Sequence, residues 1–180
     1  MSPRPVPDLN LRRDQVIHAA RAVAESDGWP AVTVRRLAGE LGVTQPVLYS
    51  AFASRQAIID AVALGGFDDL AAALEATDAA PMARMRAYLG FAAAHPRLYE
   101  AMFSLPTGLA FASDHIPGPM QRAFDDIAAA FPDADGTRAE VAWAQLHGLA
   151  TLQASGRLRP GHVQARLDLA HRLLTPEENH

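Results

Sequence analysis

Apolar residues recur along this chain at helical spacing, and no stretch shows the sustained apolar/polar alternation of a strand. The first sixty residues hold two clear apolar stripes. The stripes consist of Val16, Ile17, Ala20, Val23 and Ala24, and of Val34, Leu37, Ala38 and Leu41. Together with the stop signals at Gly28 and Gly42, they predict helices at about 11–26, 34–41 and 45–52. Thr33 and Thr44 are the expected N-caps of the second and third helices, and Asn10 of the first.

The remaining two thirds of the chain predict a body of further helices. These are expected at about 55–75, 81–94, 96–104, 118–131, 137–155 and 161–174. The Gly65–Gly66 pair is expected to bend or break the first of them. Thr137 and Glu140 predict a capping box at the start of the fifth. The predicted fold class is all-α, with an N-terminal three-helix head at 1–55 and a C-terminal helical body at 56–180.

Two short helices joined by a tight turn at Gly42, with a third helix ahead of them, predict a helix-turn-helix. In the helix at about 45–52, Leu48, Ala51 and Phe52 share one side and are expected in the core. The residues left on the other side are Gln45, Pro46, Val47, Tyr49 and Ser50. A helix with a free polar face fits the major groove of B-DNA, where base edges are exposed.

The segment from Thr33 to Gln56 also carries an ordered motif. It contains a threonine, then Leu-Ala, Gly-Val and Leu-Tyr-x-x-Phe, and finally a basic residue that opens the next helix. This order and spacing resemble the DNA-binding head of TetR-family transcriptional regulators. The resemblance implies a homodimeric repressor that binds a palindromic operator in double-stranded DNA. It further implies that a small molecule, bound by the C-terminal helices, releases the protein from that operator.

The resemblance assigns DNA contacts within the head. Thr33 and Tyr49 match positions that contact phosphate, and Arg55 replaces the usual lysine at the start of the fourth helix. Arg35, Gln45, Pro46 and Val47 match positions that contact bases. The full set of expected DNA-binding residues is Thr33, Arg35, Thr44, Gln45, Pro46, Val47, Tyr49, Ser50 and Arg55.

Each of these residues also has a purely structural explanation. Thr33 and Thr44 suffice as N-caps, and Tyr49 as an ordinary partly buried aromatic residue. Arg12 and Arg13 open the first helix, where they either reach a phosphate or remain solvated. The head departs from the family pattern at Ala51, where many members carry a larger residue.

A second resemblance lies in the body, in the string from Val141 to Leu152. It contains Trp143 and His147, which are four residues apart on one helix face, followed by Gly148. This string resembles the C-terminal domain of a TetR subgroup named WHG after those three residue types. An apolar ligand site with few polar anchors is expected in this body. Its candidate residues are Tyr88, Phe91, Tyr99, Phe103, Phe124, Trp143 and His147, with Phe111 among the further apolar candidates. The alternative is that most of these side chains belong to the core.

The last two predicted helices, at about 137–155 and 161–174, are amphipathic. In the family such helices pair across a twofold axis, and the resemblance therefore implies a homodimer through them. The same pattern would serve an intramolecular core equally well.

Composition narrows the function further. The chain has no cysteine, its histidines lack metal-ligand spacing, and no catalytic motif or nucleotide fingerprint is present. We therefore expect no enzyme activity, metal or cofactor, and the absence of a signal segment or membrane span predicts a cytoplasmic protein. Residues 1–60 hold seven arginines against six acidic residues, a net charge of +1 on a chain of net charge −4. Since this charge is small, a helical ligand-binding or interaction protein whose head no longer binds DNA remains the alternative.

Overall fold

The computed structural model describes residues 8–109 and 116–175, and all regular structure in these ranges is helical. The predicted all-α class is confirmed. The helices are α1 (Leu9–Asp27), α2 (Val34–Glu40), α3 (Gln45–Ala51), α4 (Arg55–Glu75), α5 (Pro81–Ala94), α6 (Pro96–Phe103), α7 (Gly118–Ala130), α8 (Thr137–Ala154) and α9 (Val163–Leu174), with 3₁₀ turns at Trp29–Ala31 and Pro160–His162. Phe111 lies outside the described residues.

The observed helix bounds lie within two residues of the predicted ones, but three local features differ from their predictions. Asp8 caps α1, because its Oδ1 accepts the N–H groups of Asn10 at 3.0 Å and Leu11 at 3.2 Å. Asn10 is therefore inside the helix. The pair Gly65–Gly66 does not break α4, which continues through it to Glu75.

The start of α8 corrects a third prediction. Its N-cap is Gly136, in the left-handed conformation at φ 81°, and no capping box forms between Thr137 and Glu140. Two aspartates of the preceding loop accept hydrogen bonds from backbone N–H groups in the first turn of α8. Asp133 Oδ2 accepts the N–H of Arg138 at 2.8 Å, and Asp135 Oδ1 accepts that of Thr137 at 3.0 Å. The second of these bonds lowers the pKa of Asp135.

The described residues form two compact units, and the boundary between them falls within α4, after Gly66. The first unit contains α1, α2 and α3 and, from later in the chain, Arg97–Leu109. Its core includes Leu37, Leu48 and Trp29, which are at most 2% exposed. The indole Nε1 of Trp29 donates to the carbonyl of Arg97 at 2.8 Å, which ties α6 into this unit.

The second unit contains Phe67–Pro96 and the described chain from residue 116 onward. In it α5 packs against α7, α8 and α9. The core side chains include Met85, Tyr88, Ile127, Leu146 and Leu167. The functional division predicted for the chain, DNA binding in 1–55 and effector binding and dimerisation in 56–180, stays a prediction.

Gly66 on α4 lies directly against side chains of α6. A Cβ atom there would be 2.7 Å from Met102 Sδ and 2.9 Å from Leu98 Cδ1, whereas a Cβ on Gly65 would have no described atom within 4 Å. We expect Gly66→Ala to lower the free energy of unfolding by about 1–3 kcal/mol, since both neighbours are buried. Gly65→Ala is the matched control and should raise it by up to about 1 kcal/mol through helix propensity. Urea denaturation of the pair measures both, and equal effects would contradict the packing argument.

Candidate nucleic-acid interface

The outer face of α3 is exposed along its whole length. Its exposed side chains are Gln45, Pro46, Val47, Tyr49 and Ser50. Leu48 and Ala51, on the opposite side, are 1% and 7% exposed and pack against the head core. The two sides of α3 therefore lie as the sequence predicted. The helix has seven residues, about two turns. Because its outer side chains are exposed, that face is available to an external partner.

The two threonine caps differ in what their hydroxyl groups do. Thr33 Oγ1 accepts the N–H of Arg36 at 3.1 Å, which confirms Thr33 as the N-cap of α2. Thr44 occupies the N-cap position of α3, but its side chain makes no capping hydrogen bond. Of the two hydroxyl groups, the one on Thr44 is thus not engaged in capping. The hydroxyl of Ser50 donates to the carbonyl of Val47 at 2.7 Å.

Two adjacent arginines on α2 have different electrostatic surroundings. Arg36 pairs with Glu40 at 2.7 Å and with Asp27 at 3.3 Å, and the hydrogen bond with Glu40 raises its pKa. Its charge is balanced locally by these carboxylates. Arg35 is exposed, and with Thr33 and Arg36 it borders a shallow, open depression of about 490 Å³ on the surface of α2.

Two further arginines bind backbone carbonyls of the head. The guanidinium of Arg55 donates from Nε to Val32 at 2.5 Å and from Nη2 to Trp29 at 2.7 Å, which holds the segment ahead of α2. Arg13 Nη1 donates to the carbonyl of Ala51 at 2.6 Å. Sequence reasoning missed both contacts, because each joins residues more than twenty positions apart and no local pattern signals them.

The predicted ligand-binding side chains are divided between the two units. Tyr99 and Phe103 lie on α6 in the first unit, with their ring centroids 4.6 Å apart. The other five, Tyr88, Phe91, Phe124, Trp143 and His147, lie in the second unit.

In the second unit, Phe124 and Trp143 meet edge to face at 5.9 Å, and Phe91 stands 5.1 Å from the ring of His95. Tyr88 is fully buried. His147 is partly buried, and this burial lowers the pKa of its imidazole. The half-buried pair Trp143 and His147 lies on one side of α8, as its spacing predicts.

No helix in the described parts of the chain is long and apolar enough to cross a membrane. Among those same residues, no three histidine, aspartate or glutamate side chains converge in a way that would hold a metal ion.

Comparison with known proteins places both parts of the chain. Residues 16–62 match the family model of bacterial regulatory proteins of the tetR family. Residues 82–175, more than half of the chain, match the tetracyclin repressor-like C-terminal domain.

The chain is similar to an uncharacterized HTH-type transcriptional regulator of Mycobacterium tuberculosis, with 28% identity over 81% of this chain and 72% of the relative. It is 43% identical to the Escherichia coli tetracycline repressor protein class C over 53 residues, 29% of this chain and 24% of that repressor. A solved structure from Rhodococcus sp. RHA1, described as a protein with unknown function, superimposes with a TM-score of 0.71 at 28% identity, covering 97% of each chain. The chain belongs to the TetR family of DNA-binding, ligand-responsive transcription regulators.

Proposed function

We propose that this regulator is a homodimeric repressor that binds a palindromic operator in double-stranded DNA and is released from it by a small molecule. The observation that carries the DNA part is the exposed face of α3, fixed from behind by buried Leu48 and Ala51. Since the partner is chromosomal DNA, we place this activity in the cytoplasm. No cofactor or catalytic step enters the proposal.

In this proposal the residues of the motif divide into those that contact bases and those that contact phosphates. Gln45, Pro46 and Val47 of α3, with Arg35 of α2, contact bases. The Gln45 amide suits the N6/N7 edge of adenine, and the Val47 methyl groups suit thymine. The residues that contact phosphates and set the register are Thr33, Thr44, Tyr49, Ser50 and Arg55. Arg55 retains three of its five N–H donors beyond the two that hold Val32 and Trp29.

Exposed apolar side chains on α8 and α9 support the homodimer. Leu169 and Leu173, four residues apart on α9, are 50% and 66% exposed, and Val141 on α8 is 53% exposed. Gly148, in the middle of α8, has open space where a Cβ atom would lie, so no contact among the described residues requires a glycine there. A second copy that approaches closely would account for both features.

Leu173→Asp tests the dimer. A carboxylate placed in an apolar interface on both protomers is expected to weaken self-association at least a hundredfold, about 3 kcal/mol. Sedimentation equilibrium over a range of concentrations measures the change. Leu173→Met is the control, since it conserves volume and apolar character and should remain dimeric. An unchanged association constant in the aspartate variant would place the interface elsewhere.

For the effector we propose an apolar site in the helical body, lined by some of the seven predicted residues, with His147 as a polar anchor. The string from Val141 to Leu152 supports assignment to the WHG subgroup, because Trp143 and His147 share one side of α8. Effector binding would change the spacing of the two heads in the dimer through α4, and so disturb the match to the two half-sites.

The test of this function is to let the purified protein select duplexes from a random pool, at two salt concentrations. Enrichment of a palindromic site, with binding that weakens as salt rises, is the expected result. Absence of enrichment would favour a head that no longer binds DNA, once a separate portion of the sample has been denatured and shown to release no small molecule. The selected duplex then serves to screen effectors by loss of binding.

A further inference from the structure

The recognition helix α3 is too short to hold its own orientation. It spans seven residues, and an isolated helix of that length is unstable in water. At its N-terminal end Thr44 provides no side-chain cap. The direction in which its outer face points is therefore set by contacts with the rest of the head.

Arg13 of α1 makes two contacts at the C-terminal end of α3. Its Nη1 donates to the carbonyl of Ala51, the last residue of the helix, at 2.6 Å. Its guanidinium carbon also lies 4.3 Å from the ring centroid of Phe52, within cation–π range. Phe52 is 3% exposed, and its own N–H donates to Leu48 at 2.9 Å. One planar group thus holds both the terminal carbonyl and the residue that ends the helix.

We infer that Arg13 is a positioning residue of the recognition helix, and not a phosphate contact. The inference rests on the proposed DNA-binding function and deepens it by adding a residue outside the helix-turn-helix that determines specificity. Base readout depends on the angle at which α3 presents its side chains, whereas contacts to phosphates carry no sequence information. Loss of Arg13 therefore reduces discrimination between operator and random DNA more than it reduces binding to DNA in general.

Lysine distinguishes the two roles. It keeps the positive charge that a phosphate contact needs, but it lacks the planar fork that donates to Ala51 while stacking on Phe52. We expect Arg13→Lys and Arg13→Gln each to weaken binding to the selected operator about tenfold and binding to a random duplex less than twofold. The slope of log affinity against log salt should stay unchanged in both variants.

Arg12→Gln is the matched control, because it removes the neighbouring charge on the same turn of α1 and should leave the ratio of operator to random affinity unchanged. Wild-type affinity in Arg13→Lys, with a slope reduced by about 0.9 in Arg13→Gln, would make Arg13 a phosphate contact and overturn the inference.

Amide hydrogen exchange of the free protein tests the same inference without DNA. The N–H of Phe52 and its neighbours in the last turn of α3 should exchange about tenfold faster in both Arg13 variants than in Arg12→Gln. Unchanged exchange would overturn the positioning role whether or not the protein binds an operator. Failure to select any operator with the wild-type protein would instead contradict the proposed function and leave the exchange result to decide the role of Arg13.

Discussion

Replacing Asp126 by alanine is expected to lower the free energy of unfolding by about 3–5 kcal/mol. Asp126 on α7 faces Arg84 on α5, with Oδ1 3.3 Å from Nη1, and the whole Arg84 residue is only 8% exposed. The Nε and Nη1 atoms of Arg84 are buried and make no hydrogen bond within the described residues. Without the carboxylate, this guanidinium would be an uncompensated buried charge.

Two opposing effects act on the pKa of Asp126, namely burial and the charge of Arg84. Burial raises this pKa, the Arg84 charge opposes the rise, and the nearby carboxylates Glu75 and Asp125 add to it. Because the folded-state pKa exceeds the unfolded value of 3.8, the folded state binds the proton more readily. The stability that this difference contributes is present at low pH and is lost as pH rises through the folded-state pKa. The stability that Asp126→Ala is expected to lose at neutral pH therefore comes from leaving the buried charge of Arg84 without its partner.

Two variants check this explanation by urea denaturation at fixed protein concentration. Arg84→Met combined with Asp126→Leu removes both charges and fills the space, and should recover most of the stability or exceed that of the wild type. Asp125→Ala removes an exposed neighbouring carboxylate and should change stability by less than about 0.5 kcal/mol. Near wild-type stability in Asp126→Ala would show that water reaches the guanidinium.

Tyr49→Ala and Gln45→Ala are expected to weaken DNA binding in different ways. Loss of the Gln45 amide should cost about 1–3 kcal/mol, roughly ten- to a hundredfold, on the selected operator, with little effect on random DNA. Loss of Tyr49, whose side chain is 51% exposed next to the base-contacting residues, should weaken binding to both duplexes by a similar factor.

Titration of each variant against operator and random duplexes measures these ratios. Tyr49→Phe is the matched control, because it keeps the ring and removes only the hydroxyl that would reach a phosphate. It should reproduce most of the alanine effect if the hydroxyl makes the contact. Equal losses on both duplexes for Gln45→Ala would remove it from the base-reading set.

The helices and the exposed face of α3 were predictable because their signals are local. Apolar spacing within one turn decides which side of α3 is buried, and Leu48 and Ala51 are buried as expected. The start of α1 was missed because Asp8 and Asn10 are both good N-cap residues, and only the observed hydrogen bonds distinguish them.

Contacts between distant residues were not predictable from this single sequence. Arg13 and Ala51 are 38 positions apart, and nothing in either neighbourhood marks the pair. Arg84 looks like an ordinary surface charge in sequence, since arginine is rarely buried unless paired. Only the packing of α5 against α7 brings it to Asp126. The ligand-lining residues stay a prediction, because a large apolar side chain has the same pattern in a core as in a pocket.

The hydrogen bond between Trp29 and the carbonyl of Arg97 limits how this regulator can be recombined with others. A chimera that joins residues 1–55 to a foreign body would lose that acceptor and leave the buried indole N–H without its partner. A junction placed after Gly66 instead would keep that part of α4 but lose Leu98 and Met102, which pack against Gly66. A graft that preserves the head must therefore transfer two separate stretches of chain, the N-terminal one and Arg97–Leu109.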